Sequence, residues 1–322
     1  MDTAIIILLF AAGIVLIVKG GDFFVDAAAW MAEASGIPKF IVGATIVSFA
    51  TTLPEIIVSS IAAFEGKVDM AVGNAIGSVT ANTALIMAVG ILFMPSIIKK
   101  RQFIPKALIL IAALVTLIAL SISGGLTFKS SIILFAIFAL FIFENIKTAD
   151  KNNDKKIKKS DKTIKKAIKG KETVKYIIMF IIGAASIVIG SNLLVDNGSA
   201  IARMIGVPEN IIGLTAIAIG TSLPELVTTI TSIIKKQASL SIGNIIGANI
   251  IDTTLILPIC AAISKGNLPV SYQTIHIDIP FSLMAACIMI IPAIFTGKLS
   301  RWQGIASLIL YGIYIGILCF IS

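Results

Sequence analysis

The sequence predicts an all-α polytopic membrane protein in which ten transmembrane helices form two five-helix repeats of inverted topology. Three observations carry that prediction. Hydrophobic residues make up 57% of the 322 positions and charged residues 13%, with a mean hydropathy of +1.02, whereas soluble domains carry roughly 25% charged residues. Apolar runs of about 20 residues, the length that crosses a bilayer, recur along the whole chain. And the stretch Thr51-Thr52-Leu53-Pro54-Glu55 returns at an offset of 170 as Thr221-Ser222-Leu223-Pro224-Glu225, each copy set in the middle of an apolar run.

The runs fall at roughly 3 to 34, 39 to 65, 69 to 94, 103 to 123 and 128 to 147, then at roughly 174 to 204, 209 to 234, 238 to 263, 277 to 296 and 301 to 321. The first begins after Met1-Asp2-Thr3 with no basic n-region, so it reads as a transmembrane helix rather than a cleaved signal peptide. The first run of each set exceeds one crossing and carries polar residues in its second half: Asp22, Asp26 and Glu33 against Asn192, Asp196 and Arg203. Such helices tilt or lie partly in the interface. The expected organisation is a first repeat over 1–147, a Lys-rich linker over 148–173 and a second repeat over 174–322.

A formal charge of +9 would suggest nucleic acid were it spread over the fold, but 12 of the 26 basic residues lie between Lys147 and Lys175. No nucleic-acid partner is expected. The positive-inside rule places that loop in the cytoplasm together with Lys99, Lys100, Arg101, Lys106, Lys235, Lys236, Lys298 and Arg301, leaving Lys67, Lys129, Arg203 and Lys265 opposite. Both termini then face outward, and an odd number of crossings per half gives the halves opposite orientations. Ile157, Ile164 and Ile168 could lay an apolar stripe on anionic lipid, although a solvated, topology-fixing linker is the simpler reading.

At the same offset Gly36, Pro38, Gly43, Thr45, Gly73, Asn74, Ile76 and Gly77 recur as Gly206, Pro208, Gly213, Thr215, Gly243, Asn244, Ile246 and Gly247. Membrane composition alone repeats Ile and Ala, not Pro, Glu and Asn in register. Inverted repeats place substrate sites near the midplane on interrupted helices.

Glu55, Asn82, Glu225 and Asp252 stand near the middles of their runs, and Asn82 and Asp252 are themselves repeat-related. A carboxylate at that depth is costly and marks a functional site by default. Around them lie Thr51, Thr52, Ser78, Thr221 and Ser222. Pro54 and Pro224 cannot donate backbone hydrogen bonds, which frees the carbonyls of Ala50 and Gly220. The set is all oxygen: His276, the single histidine, belongs at an outer helix end, and Cys260, Cys287 and Cys319 read as packing residues. Hard cations such as calcium or sodium fit it, and zinc, copper and iron do not. Glycines at 43, 73, 77, 213, 243 and 247 permit close helix approach. Taken singly, Ser and Thr residues more often tie helices together than bind ions, but no Lys or Arg at the same depth neutralises the glutamates, and Lys19 is expected to snorkel.

These two repeats, Gly43 to Glu55 with Gly73 to Asn82 and Gly213 to Glu225 with Gly243 to Asp252, resemble the calcium/cation antiporter superfamily and, within it, sodium/calcium exchangers of prokaryotic size. The resemblance implies a non-enzymatic antiporter of the cell membrane without cofactors, whose transported ions are calcium and sodium, surrounded by lipid and working as a monomer in the simplest case. It implies that Glu55 and Glu225 are shared calcium and sodium ligands. By the same resemblance Thr51, Thr52, Thr221, Ser222 and Ser78 supply side-chain oxygens, the carbonyls of Ser48 and Ala218 complete peripheral sodium sites, and Asn82 and Asp252 line the central position. Two departures stand out: Ala248 replaces a serine that such exchangers usually carry in the second repeat, and Thr52 replaces the more common serine. Gly77 and Gly247 occupy a region where proton-coupled relatives tend to carry an acid, which favours sodium over protons. Proton/calcium exchange and potassium- or lithium-using exchange remain the nearest alternatives. A cation channel with a carboxylate ring is more distant, and an intramembrane hydrolase lacks the motifs it would need.

Overall fold

The structure, a computed structural model, describes residues 3–122, 124–157, 170–206, 220–264 and 266–321. With no water at membrane depth the backbone must satisfy itself, so apolar runs fold as helices. They are α1 (Thr3–Ser35), α2 (Lys39–Thr51), α3 (Leu53–Phe64), α4 (Val68–Phe93), α5 (Lys100–Ser121), α6 (Phe128–Ile157), α7 (Gly170–Met204), α8 (Leu223–Ile234), α9 (Ala238–Ile263), α10 (Thr274–Thr296) and α11 (Arg301–Ile321). Eight of these are long and apolar enough to span a bilayer, and α2 with α3, bent by 45°, makes a ninth among the described residues. The twelve-residue α8 is the repeat partner of α3. The segment that would precede it as α2 precedes α3, residues 207–219, lies outside the described residues, and with it the expected positions Pro208, Gly213, Thr215 and Ala218.

Two expectations shift in detail. Helix α6 continues through Ile157 and α7 starts at Gly170, so helix occupies both ends of the expected linker; Ile164 and Ile168 of the proposed stripe lie outside the described residues. Lys106 is buried rather than a loop charge, its ammonium donating to the Thr148 hydroxyl (2.9 Å) and the Glu144 carbonyl (3.3 Å) across α5 and α6.

The halves meet along an antiparallel seam. Helices α1 and α7 run antiparallel over their length, with Gly13 against Gly190, Gly20 against Gly183, Phe24 stacked on Phe180 (4.5 Å) and Trp30 on Tyr176 (4.3 Å). Gly13 and Gly183 are repeat-related, as are Gly20 and Gly190, so the seam is self-complementary about a pseudo-twofold axis, the isologous geometry of a symmetric dimer. Two short antiparallel ribbons also join loops of different halves: Ser96–Ile97 pairs with Lys298–Leu299, and Gly125–Thr127 with Asn267–Pro269.

Inside this frame sit α4 and α9. In their apolar windows 67% and 83% of residues are buried, against at most 44% in any other span. Helix α2 crosses α9 where a Cβ on Gly43 would overlap the Leu240 carbonyl and one on Gly243 the Phe40 carbonyl. Only glycine lets the two backbones touch, and that contact sets the depth at which the polar residues meet. Gly43→Ala is therefore expected to cost about 1–3 kcal/mol through overpacking, read as a lowered melting temperature in detergent. Gly312→Ala, where an added Cβ meets nothing within 4 Å, should leave stability unchanged or raise it.

Candidate cation site

Each conserved-offset Pro-Glu pair opens a helix. Thr52 and Ser222 both break from helical geometry (φ −85°, ψ 0° and φ −85°, ψ 4°), and Pro54 and Pro224 occupy the first turn that follows. A proline tolerates that position because its missing N–H would be unsatisfied anyway. Glu55 and Glu225 then fall in the first turns of α3 and α8, where the positive helix end favours an anion.

On the facing helices the backbone widens at repeat-related places. Residues Ala81–Met87 of α4 and Asp252–Ile256 of α9 form π-helical turns, a deformation that recurs at functional sites because it disturbs the i→i−4 ladder. Asn82 and Asp252 lie in these turns. The Thr253 and Thr254 hydroxyls return to the Asn249 carbonyl (2.8 Å) and the Ile250 carbonyl (2.5 Å).

Hydrogen bonds tie the halves together across the centre. Thr51 Oγ1 donates to Asn244 Oδ1 at 3.1 Å, and its repeat partner Thr221 donates to Asn74 Oδ1 at 3.1 Å. Asn74 Nδ2 in turn holds Ser59 Oγ at 2.9 Å. Asn74 and Asn244 were visible in the sequence only as parts of the Gly-Asn repeat motif; their amide side chains prove to be the struts that hold both Thr hydroxyls. The matching of their motif with Thr51 and Thr221 at one offset was the available signal.

The next position breaks the symmetry. Ser222 donates to Ser78 Oγ at 3.3 Å, but the equivalent of Ser78 is Ala248, which has no oxygen, and Thr52 instead reaches Glu225 Oε1 at 3.5 Å. Glu225 thus has one contacted oxygen while both oxygens of Glu55 are buried without a hydrogen-bond partner. Ser48 is fully buried, and its carbonyl accepts the Thr52 N–H (2.9 Å) and the Thr51 hydroxyl (3.3 Å). Ala218 lies outside the described residues.

Six buried acceptor oxygens in this region have no donor: both of Glu55, both of Asp252, Oε2 of Glu225 and Oδ1 of Asn82. Glu55 is within Coulombic reach of Glu225 and Asp252, yet among the described residues no three His, Cys, Asp or Glu side chains close on a single point as a metal cluster. Any ion here would complete its shell with hydroxyl, amide and carbonyl oxygen, the chemistry of hard cations. No ion pair of the described residues involves the three acids. Sulfur and imidazole stay away: Cys260 donates to the Ser59 carbonyl (3.4 Å), and exposed His276 stacks on Tyr272 (3.9 Å).

Comparison with known proteins agrees with this architecture. Residues 5–147 and 175–320 match the family described as sodium/calcium exchanger protein, in two blocks that flank the Lys-rich segment. The inner membrane protein YrbG of Escherichia coli is 34% identical over 82% of both chains. The sodium/calcium exchanger MaX1 of Methanosarcina acetivorans is 27% identical over 98% of both. A structure of the sodium-calcium exchanger NCX_Mj soaked with Na+ and Sr2+ superposes with a TM-score of 0.84 at 26% identity, covering 98% of this chain and 99% of that one. With the duplicated Pro-Glu helix breaks, the π turns opposite them and the match over both halves, the chain belongs to the sodium/calcium exchanger family.

Proposed function

We propose that the protein is a secondary active antiporter of the cell membrane that exchanges sodium for calcium by alternating access, with Glu55, Glu225 and Asp252 as the charge-bearing ligands and no chemical catalysis. The observation that carries this reading is the group of six donor-less buried oxygens on Glu55, Asn82, Glu225 and Asp252. Removing a carboxylate from water costs several kcal/mol unless a positive charge accompanies it. Here the compensating charge is the transported ion. Calcium takes six to eight oxygens, and Asn82, Thr51, Thr52, Thr221, Ser222, Ser78 and the Ser48 and Ala218 carbonyls are the assigned contributors besides the acids.

Calcium and sodium compete for the same carboxylates, so one filling excludes the other. Occupied, the acids are neutralised and the barrier to exposing the site on the other face falls; empty, up to three negative charges resist the crossing. Helices α1 and α7 are the assigned moving pair, since they meet along a glycine seam and end at Gly36 (φ 73°) and Gly206 (φ 84°), left-handed residues that turn the chain sharply. Both termini face outward in this assignment and the Lys-rich segment faces the cytoplasm.

The deciding experiment loads purified protein into vesicles and drives calcium uptake in turn with outward sodium, potassium, lithium and proton gradients. Sodium alone should drive rapid uptake; uptake that follows only the proton, potassium or lithium gradient replaces the sodium assignment, and flux that needs no counter-gradient replaces the antiporter by a channel. Glu55→Gln and Glu225→Gln keep size and shape while removing a charge, and each is expected to lower sodium-driven uptake about a hundredfold or more. Unchanged uptake in either would sink the ligand assignment.

The Ser78/Ala248 difference generates a second expectation. Ala248→Ser gives Thr52 the hydroxyl neighbour that Ser222 already has and restores an oxygen to the second half. One added oxygen contact corresponds to about fivefold in affinity, so the sodium concentration for half-maximal exchange should fall by about that factor. An unchanged or raised value would mean that the second peripheral position binds no sodium.

A further inference from the structure

Asp22 and Asp26 stand one helical turn apart on α1, and Lys235 directly follows α8. Its ammonium lies 2.8 Å from Asp26 Oδ1 and 3.2 Å from Asp22 Oδ1, so one cation closes on two acids. The helices are also close here: a Cβ added at Gly21 would meet Thr231 Oγ1 at 2.6 Å and Val227 Cγ1 at 3.0 Å. Further along α1, Trp30 stacks on Tyr176 near the start of α7, which places this contact on the side that carries the Lys-rich segment. The inverted counterpart is built differently. At the offset of 170, Asp22, Asp26 and Lys235 correspond to Asn192, Asp196 and Glu65, a set that holds no cation. Glu65 pairs with its neighbour Lys67 (2.7 Å). Val227 and Thr231, under α1, are 8% and 7% exposed, whereas their counterparts Ile57 and Ile61 on α3 are 54% and 52% exposed. Helix α1 thus covers α8 with a double ion pair at its edge, while the matching stretch of α3 is left open.

The pairs join α1, assigned above to the moving pair, to α8, whose first turn carries Glu225. An ion pair inside one rigid body only adds stability. One between two bodies that shift past each other is made in one arrangement and lost in the other, so its whole strength biases the equilibrium between them. We propose that Lys235, Asp22 and Asp26 form a one-sided latch, which holds α1 on α8 and favours the arrangement closed on the Lys-rich side, with no equivalent on the opposite side. The inference rests on the alternating-access reading and adds to it a bias between the two openings. The three side chains are 22–50% exposed, so each pair corresponds to about threefold in an equilibrium and the two together to about tenfold.

The test uses the full chain in nanodiscs, with Cys260, Cys287 and Cys319 replaced by alanine and spin labels on cysteines placed at Thr3 of α1 and Lys129 of α6. Double electron–electron resonance, recorded with sodium and with calcium, reads the ratio of the two distance populations. Lys235→Gln should shift that ratio about tenfold away from the latched distance, and Lys235→Glu, which sets three acids together, should shift it further. Exchanging the charges in Asp26→Lys/Lys235→Asp should return it to within about threefold of the starting value. Lys236→Gln, which removes the neighbouring charge, should leave it unchanged. Raising choline chloride to about 1 M, where screening acts over about 3 Å, should loosen the unsubstituted latch and have little effect on Lys235→Gln, a response that packing alone would not give. Two populations whose ratio ignores Lys235→Gln, or a shift as large in Lys236→Gln, would overturn the latch and leave the exchange reading intact. One unvarying distance in every variant would remove the moving pair itself, and the latch with it.

Discussion

Everything in this structure is arranged around the difficulty of keeping three carboxyl groups dry. Glu55, Glu225 and Asp252 are at most 1% exposed, and no lysine or arginine of the described residues pairs with them. The one buried lysine of the described residues, Lys106, is committed elsewhere, to a carbonyl and a hydroxyl between α5 and α6. A soluble protein would solve the problem with a fixed counter-charge, at the expense of neutralising the site for good. Left unpaired, the charge calls for a partner from outside the fold, which in the proposed function is the transported ion.

The surrounding geometry follows from that choice. A regular helix offers no carbonyl oxygen to an ion, because each is taken by the N–H four residues on. The chain loosens this ladder in two ways, by proline breaks after Thr52 and Ser222 and by π turns at Asn82 and Asp252. Neither would survive in contact with lipid, where an unpaired backbone group costs several kcal/mol. Burying them demands a close crossing, and Gly43 and Gly243 supply it. Glycine contacts, helix interruptions and buried unpaired oxygens are thus one solution rather than three features.

Much of this was legible in the residues. Pro54, Glu55 and their counterparts recur at one spacing, and a membrane-length apolar run does not carry a proline and an acid twice by chance, so the interruption between α2 and α3 and the buried glutamates could be read before any coordinates. The π turns could not: Ala81–Met87 has no proline, and its widening is set by packing. The Asn74 and Asn244 struts were hidden for a different reason, since an asparagine inside a glycine motif looks like a turn residue until the helix that faces it is known. The antiparallel seam of Gly13 with Gly190 and Gly20 with Gly183 needs the pairing of α1 with α7, which sequence periodicity does not specify. Nor does periodicity reveal that Lys106 turns inward, because a basic residue one turn into a helix satisfies the positive-inside pattern wherever its side chain points.

In the proposed alternating-access cycle, pseudo-symmetry accounts for a site that opens from either side, and its imperfections account for a difference between the two sides. Perfectly equivalent halves would present equivalent ligands to both faces, since each half is the other inverted. The paired bonds Thr51–Asn244 and Thr221–Asn74, both 3.1 Å, preserve that equivalence at the struts. At the proposed ligands it is lost: Asn82 corresponds to Asp252 and Ser78 to Ala248, and Thr52 lies 3.5 Å from Glu225 Oε1 while its counterpart Ser222 turns to Ser78 instead. The inverted scaffold is conserved where it sets position and varied where it sets charge and oxygen count. In the proposed cycle that division lets one rigid frame alternate between two openings while the energetic difference between them resides in a few side chains.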